Sequence, residues 1–347
     1  MPTKVKALAT AGPQAQFQRT TIERRDPGPD EVVIAIQYAG ICHSDIHTAR
    51  DEWDGTTYPL VPGHEIAGIV TATGPEVTKY RIGQRVGVGC FVDSCGQCEH
   101  CRLGEENACL EKTIWTYNDQ GRDGQPTHGG YSQQIVVRQD YVLRIPDSIP
   151  LDRAAPLLCA GITPYSPLAR YGAGPGKKVA IIGLGGLGHM GVQIAHAMGA
   201  EVTVLSRTLG KQADGLALGA SAYYATSDPA TFDKLKGSFD LIISSVSDDI
   251  EVDSYVKLLR LGGALVFIGL PPKQQSFKVG VLCNGHRIIT GSNIGGIGAT
   301  QEMLDFCAEH GIAAQIELIT ADQVSATYDR VVAGDVHFRA VIDLATL

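Results

Sequence analysis

The sequence predicts an α/β protein in two parts: a barrel-like, mostly antiparallel β-sheet domain, then a doubly wound parallel-sheet domain. Three observations carry that reading. Short Val/Ile runs bounded by Gly and Pro fill residues 1 to about 150. From about residue 151, apolar strand-like runs alternate with segments of helical periodicity. After about residue 295 an amphipathic stretch, QEMLDFCAEHGI, is followed by the strand-like tail FRAVIDL. The chain is therefore expected to return and complete its first domain, so that 1–152 and 295–347 form one domain and 153–294 the other.

In order, EVVIAIQYAG, EIAGIVTATG, QRVGVGCFV and YSQQIVVRQDYVLRIP read as strands of the first domain, with a long loop over 93–130. LDRAAPLLCAGITPYSPLARYG reads as helix. The strands that follow are KKVAIIG (177–183), EVTVLS (201–206), SAYYA (221–225), FDLIISS (239–245), GGALVFIG (262–269) and RIITG (287–291), with helical spacing between them. Near-continuous apolar strands of this kind suit a parallel sheet covered on both faces.

Bulk composition narrows the classes of function. The chain has 347 residues, enough for two domains with real cores; 44% are hydrophobic and 19% charged. A formal charge of −8 argues against a nucleic-acid partner. Without an apolar run near the length of a membrane span, no membrane association is expected. MPTKVKALAT lacks the apolar core of a signal peptide, so a cytoplasmic location is expected.

Four cysteines crowd one run, Cys95, Cys98, Cys101 and Cys109. Two-residue spacers let backbone wrap a single ion, and four thiolates suit tetrahedral Zn2+. Iron–sulfur clusters use dense cysteines too, so the run does not name the metal. The total of nine cysteines would leave one unpaired in a disulfide framework, and metal ligation in a reducing compartment is the better account.

VAIIGLGGLGHMG places Gly183, Gly185 and Gly188 in a GxGxxG spacing, directly after a strand and opening a helix. That is the context of a Rossmann dinucleotide site, the pyrophosphate resting on the helix N-terminus. At the end of the next strand stand Ser206 and Arg207, with Lys211 close behind and no carboxylate among them. A carboxylate there would repel a 2′-phosphate, whereas these groups neutralise it, so NADP(H) is expected over NAD(H).

Cys42, His64 and Cys159 lie outside the four-cysteine run, and two thiolates with an imidazole suit a zinc site that keeps a position open. Spacing alone does not bring them together. The motifs around them do so by likeness: GICHSDIH, VPGHEIAGIV, the Cys95–Cys109 run, LLCAGIT and GLGGLGHMG occur in the order found in zinc-dependent medium-chain alcohol dehydrogenases, which the chain resembles over nearly its whole length. GVGCFVDSCGQCEHC, GGYSQQIVV, APLLCAGITPYSPL and GSNIGG are similar to the cinnamyl alcohol dehydrogenase branch and its bacterial NADP-dependent broad-range aldehyde reductases.

The resemblance implies a GroES-like catalytic domain carrying a structural zinc lobe over 93–113. It implies a catalytic zinc on Cys42, His64 and Cys159 with Glu65 behind it, and a structural zinc on Cys95, Cys98, Cys101 and Cys109. Asp45 would orient His64. Cofactor contacts would come from Thr163, Gly183, Gly185, Gly186, Leu187, Gly188, Ser206, Arg207, Lys211, Gly269, Ser292 and Arg339, with His337 as the alternative to Arg339. Thr48, Trp53, Cys90, Trp115, Asn293 and Ile294 would line the substrate channel, although the branch often has Phe where Asn293 stands.

The implied reaction is hydride transfer between NADPH and a zinc-polarised aldehyde, aromatic or medium-chain, with Ser44 and His47 relaying the proton. A homodimer is implied, with GGALVFIGL and the following PPKQQSFKVG at the pairing edge. The competing readings are a polyol or other medium-chain dehydrogenase preferring NAD, and a non-catalytic zinc and nucleotide binder.

Overall fold

A computed structural model describes residues 2–271 and 273–347. The chain divides into two compact units, Met1–Cys159 with Gly295–Leu347, and Ala160–Ile294.

The first unit is organised on the strand Glu31–Gly40. Val32, Val33, Ile34 and Ile36 are all buried, so this β-branched run is covered on both faces. Its first half, Glu31–Ala35, pairs antiparallel with Gln134–Arg138, while Tyr38–Gly40 pairs antiparallel with Val341–Asp343. Ile66–Thr73 runs antiparallel along its other side, with register shifts at Val33/Ile34 and Ile36/Tyr38. Such bulges bend a strand and re-aim its end, here toward Cys42.

The seven-stranded sheet continues through Arg85–Val88 to Leu143–Arg144 on one side and through Arg339–Asp343 to Ile316–Thr320 on the other. That last pair is parallel, the one departure from antiparallel order within the sheet. QEMLDFCAEHGI supplies most of the helix Ile297–Glu309, which buries Met303, Leu304 and Cys307.

The second unit is a six-stranded, wholly parallel sheet. Its strand order is Ala222–Ala225, Glu201–Ser206, Lys178–Ile182, Phe239–Ser244, Leu259–Phe267, Ile288–Gly291. The order reverses between Lys178–Ile182 and Phe239–Ser244, the place where open α/β sheets bind ligands. Ile242, Val256, Leu259 and Leu265 are fully buried in its core. Each such side chain contributes about 1.5–3 kcal/mol relative to exposure. No helix among the described residues is long and apolar enough to cross a membrane.

Two local expectations are corrected. The segment from Leu151 is not one helix: Leu151–Ala154 and Ile162–Arg170 are helical, and Leu157–Gly161 forms a wide π-type turn between them. Pro156 has no N–H to continue an α-helical ladder, and the wider turn carries Cys159. GGALVFIG is not an edge either, because Leu259–Phe267 lies between Phe239–Ser244 and Ile288–Gly291. On that side the edge is the strand drawn from RIITG, Ala222–Ala225 being the edge opposite. Ile288 on that strand is exposed, as are Leu261, Leu270, Phe277 and Val279 earlier in the chain; Pro272 of the PPKQQ stretch lies outside the described residues.

Candidate active site and metal centres

Where Glu31–Gly40 ends, Cys42 stands at the N-cap of the helix His43–Ala49. Asp45, three residues on, is fully buried, and its Oδ2 accepts the Cys42 N–H at 2.9 Å. Its Oδ1 accepts the Gly63 N–H at 3.1 Å and faces His64 Nδ1 at 3.2 Å. One carboxylate thus ties the helix start to the His64 segment and orients the imidazole, as metal-binding histidines require. Tyr117, which the sequence did not single out, stacks on the His64 ring with centroids 5.8 Å apart.

The wide turn brings Cys159 to the same place, its sulfur 3.9 Å from that of Cys42. Ligand atoms of Cys42, His64, Glu65 and Cys159 all lie within 4.8 Å of one another, and all four residues are buried. Two thiolates on one tetrahedral ion, each bonded at about 2.3 Å, stand about 3.8 Å apart, nearly twice the disulfide S–S length. The donor set therefore fits zinc. Hydrogen bonding from Cys159 holds the Cys42 thiol well below its ordinary range, against burial, and drives Cys159 well above. Burial pushes the His64 imidazolium down, but the charge and hydrogen bond of Asp45 together with the Cys90 and Cys42 sulfurs outweigh it and raise the ring well above its ordinary value.

Glu65 lies beneath the cluster. Gly40 leaves room for it, since a Cβ at that position would come within 1.9 Å of Glu65 Oε2. Arg339, expected from the sequence at the cofactor, is buried and donates through Nη2 to Glu65 Oε1, a contact the sequence did not foretell. Glu65 Oε2 is buried without a hydrogen-bond partner among the described residues, an acceptor that a cation at the cluster satisfies. Burial pushes the Glu65 carboxyl up to about 7, against the pull of Arg339. The alternative, His337, is exposed, and its N–H donates to Glu317.

Ser44 is half-buried, its Oγ 3.8 Å from the Cys42 sulfur. One turn later His47 carries a partner the sequence reading missed: Glu52 Oε2 lies 2.5 Å from His47 Nδ1. Asp51 and Asp54 both adopt positive φ, and the turn folds Glu52 and Trp53 back over the helix end. Trp53 stacks on His47 at 4.9 Å. The signal for this was the turn-rich DEWDG directly after the helix, though left-handed aspartates are not legible from composition. Of the other residues expected to line a substrate channel, Thr48 hydrogen-bonds back to the Ser44 carbonyl, Cys90 lies 4.0 Å from the Leu158 carbonyl oxygen, and Trp115 is partly exposed. Asn293 and Ile294 belong to the second unit, Ile294 with a positive φ.

Cys95, Cys98, Cys101 and Cys109 form the second cluster, with Cys95–Cys101 sulfurs 3.8 Å and Cys98–Cys109 sulfurs 3.9 Å apart. Backbone N–H groups of Cys101 and Leu110 pull the Cys98 thiol down to about 6, whereas burial pushes Cys101 up to about 12. Four thiolates leave no position for water or substrate, so the chemistry belongs to the first cluster.

In the second unit Gly183 has φ 87°, and a Cβ on Gly188 would meet the Gly183 carbonyl at 2.0 Å. Those two glycines allow the tight turn and the close seating of the helix Gly188–Ala197. A Cβ on Gly185 would meet nothing within 4 Å, leaving that position open for a pyrophosphate. Gly186 and Leu187 complete the turn at the C-terminal end of Lys178–Ile182, beside the order reversal. Ser206 is half-buried, Arg207 exposed, and Lys211 Nζ reaches the Leu184 carbonyl at 3.4 Å. Gly269 packs against Val246, the Ser292 N–H donates to Phe267, and Thr163 is buried in the helix Ile162–Arg170.

A buried soft-ligand metal cluster, a closed four-thiolate site and a dinucleotide turn define a zinc- and nucleotide-dependent oxidoreductase. Residues 28–147 match the alcohol dehydrogenase GroES-like domain and residues 186–309 match the zinc-binding dehydrogenase domain. The chain is 60% identical, over 99% of both chains, to NADP-dependent alcohol dehydrogenase C 1 of Mycolicibacterium smegmatis. It is 49% identical, again over 99% of both, to an aldehyde reductase, YahK, of Escherichia coli. Among solved structures, a cinnamyl alcohol dehydrogenase from Helicobacter pylori complexed with NADP(H) is 42% identical with a TM-score of 0.93, covering 99% of each chain. The chain belongs to the zinc-type medium-chain alcohol dehydrogenase superfamily, closely related to the cinnamyl alcohol dehydrogenases and NADP-dependent bacterial alcohol dehydrogenases.

Proposed function

We propose that this chain interconverts aromatic or medium-chain aldehydes and their alcohols with NADP(H), Ser44 and His47 carrying the proton. The protein is a zinc- and NADP(H)-linked oxidoreductase of aldehydes and alcohols. One observation carries the reading: the buried Cys42, His64, Glu65 and Cys159 cluster combines soft ligands with a carboxylate rather than closing on four thiolates. Zinc held by Cys42, His64 and Cys159 would supply a Lewis acid for the substrate oxygen, and bound NADP(H) would supply the hydride chemistry. The relatives' names, alcohol dehydrogenase, aldehyde reductase and cinnamyl alcohol dehydrogenase, support that substrate class. Ser206, Arg207 and Lys211, with no acid among them, support NADP(H). NADPH oxidation with cinnamaldehyde, benzaldehyde and hexanal tests the reading. A kcat/KM at least tenfold higher than with NADH is expected; preference for NADH sinks the cofactor assignment, and inertness toward all three aldehydes sinks the activity.

The chain's own groups account for the proton. The Ser44 hydroxyl both donates and accepts, beside a cluster ligand. Glu52 at Nδ1 fixes the His47 tautomer, so Nε2 exchanges the proton, and Trp53 holds the ring plane. Ser44→Ala is expected to lower kcat by about 10^2-fold. Activity within a few-fold of wild type in Ser44→Ala removes the relay.

The homodimer implied by the family would use the exposed apolar surface around the Ile288–Gly291 edge, since unpaired strands of that kind invite a second copy. Sedimentation at twice the 36.9 kDa chain mass is the expected result, and a monomer at micromolar concentration excludes it.

A further inference from the structure

We propose that Ser94, backed by Tyr141, is a positioning residue for the four-cysteine zinc site, holding the Cys101 thiolate through a chain of hydroxyls anchored in the β-sheet unit. Three of the four sulfurs rest on half-exposed loop and are met by backbone donors. Cys95 Sγ accepts the Cys98 N–H at 3.2 Å, Cys98 Sγ accepts the Cys101 and Leu110 N–H groups at 3.5 Å, and Cys109 Sγ accepts the Cys95 N–H at 3.4 Å. Cys101 is the buried member. Among the described residues it is the ligand whose sulfur meets a side-chain hydroxyl, Ser94 Oγ at 3.2 Å.

Ser94 is itself buried, and its Oγ lies 2.7 Å from the Tyr141 hydroxyl. A metal-bound thiolate has no proton and can only accept. That requirement sets the direction of the chain: Tyr141 donates to Ser94, and Ser94 donates to Cys101. Each bond polarises the next, and a hydrogen bond to an ionised acceptor is stronger than a neutral one.

Both hydroxyls are held in place. Asp93 Oδ1 accepts the Ser94 N–H at 2.8 Å, and the Asp93 carboxylate is pinned by Arg122 Nε at 2.6 Å and Arg138 Nη1 at 2.9 Å. Arg122 also donates to the Ser94 carbonyl at 2.5 Å. The Tyr141 ring packs edge-on against Phe91 at 5.9 Å, and Arg138 lies over its face at 5.7 Å. Both hydroxyls thus lean on residues of the strands Phe91–Asp93 and Gln134–Arg138; Cys101 takes this support in addition to a loop N–H from Gly96, whereas the other ligands depend on the loop's own backbone. Groups that hydrogen-bond a metal ligand typically govern metal affinity by about 10- to 100-fold.

Zinc release to the chelator 4-(2-pyridylazo)resorcinol from the full-length, zinc-loaded protein tests this, in a Cys42→Ser background where the remaining ion belongs to the four-cysteine site. Ser94→Ala is expected to accelerate release about tenfold or more, and Tyr141→Phe by a smaller factor in the same direction. With Co2+ in place of zinc, loss of the hydroxyl donor shifts the thiolate-to-metal charge-transfer band to longer wavelength, which loosened packing alone does not do. If Ser94→Ala fails to fold, Tyr141→Phe, which keeps the ring, decides the matter. Release at the parent rate with an unmoved cobalt band overturns the proposal. So does acceleration in which, with Cys42 restored, both zinc ions of the chain leave equally faster.

Discussion

Cys42→Ser is expected to leave a folded chain that holds one zinc ion instead of two and reduces aldehydes about 10^3-fold more slowly or worse. The Cys42 sulfur lies 3.9 Å from that of Cys159 inside a cluster of four buried ligands. Removing it deprives the site of one of its two thiolates. Metal polarisation of a substrate oxygen is worth several kcal/mol at the transition state, which is about three powers of ten or more. Serine is the informative replacement because Cys42 is also the N-cap of His43–Ala49, and serine is among the best N-caps. Its N–H still donates to Asp45, so the helix start is kept while the metal donor is lost. Zinc by atomic spectroscopy, far-UV circular dichroism and single-turnover NADPH oxidation read the three consequences separately. Two ions per chain with activity within tenfold of wild type would falsify the assignment of Cys42 as a ligand.

Arg339→Met is expected to destabilise the first unit by about 3–5 kcal/mol, because it leaves the buried Glu65 carboxylate without its cation. The effect should grow with pH. Burial already pushes Glu65 up to about 7, from an ordinary 4.5, with Arg339 pulling the other way. An acid whose pKa is higher folded than unfolded binds more protons when folded, so stability falls as pH rises between the two values. In the metal-free wild type that loss is complete a little above pH 7. Without Arg339 the folded value climbs further, and the loss continues into the alkaline range. The deficit of Arg339→Met relative to wild type should therefore be larger at pH 8.5 than at pH 6. Urea unfolding of the metal-free chain at both pH values measures it, and Glu65→Gln in the same background should remove most of the pH dependence. A deficit that is flat, or larger at pH 6, rejects the pairing as the cause.

Much of the nucleotide unit was legible because its determinants are local. Lys178–Ile182, Glu201–Ser206 and Phe239–Ser244 are near-continuous apolar runs, and the glycines at 183, 185 and 188 mark the turn that follows the first of them. Strand order within the sheet was less legible. GGALVFIG reads as well for an edge as for an interior strand, and only the docking of Ile288–Gly291 beside it decides. The segment around Cys159 reads as plain helix in the sequence because π-type turns have no periodicity of their own and arise where an α-helical bond is missing.

The sequence by itself determined the class of each part: four closely spaced thiolates that wrap an ion, a glycine turn between strand and helix, and a second strand ending in Ser206 and Arg207 instead of an acid. Those are contacts between near neighbours in the chain, where spacing and residue type suffice. Only the tertiary structure decided that Arg339 lies against Glu65, 274 positions away. It also decided that Glu52 turns back onto His47, and that Ser94 joins Tyr141 to Cys101. The physical reason is the same in each case. A buried carboxylate, imidazole or thiolate must find a partner, but which partner is set by sheet register and by turns through left-handed backbone, neither of which spacing encodes.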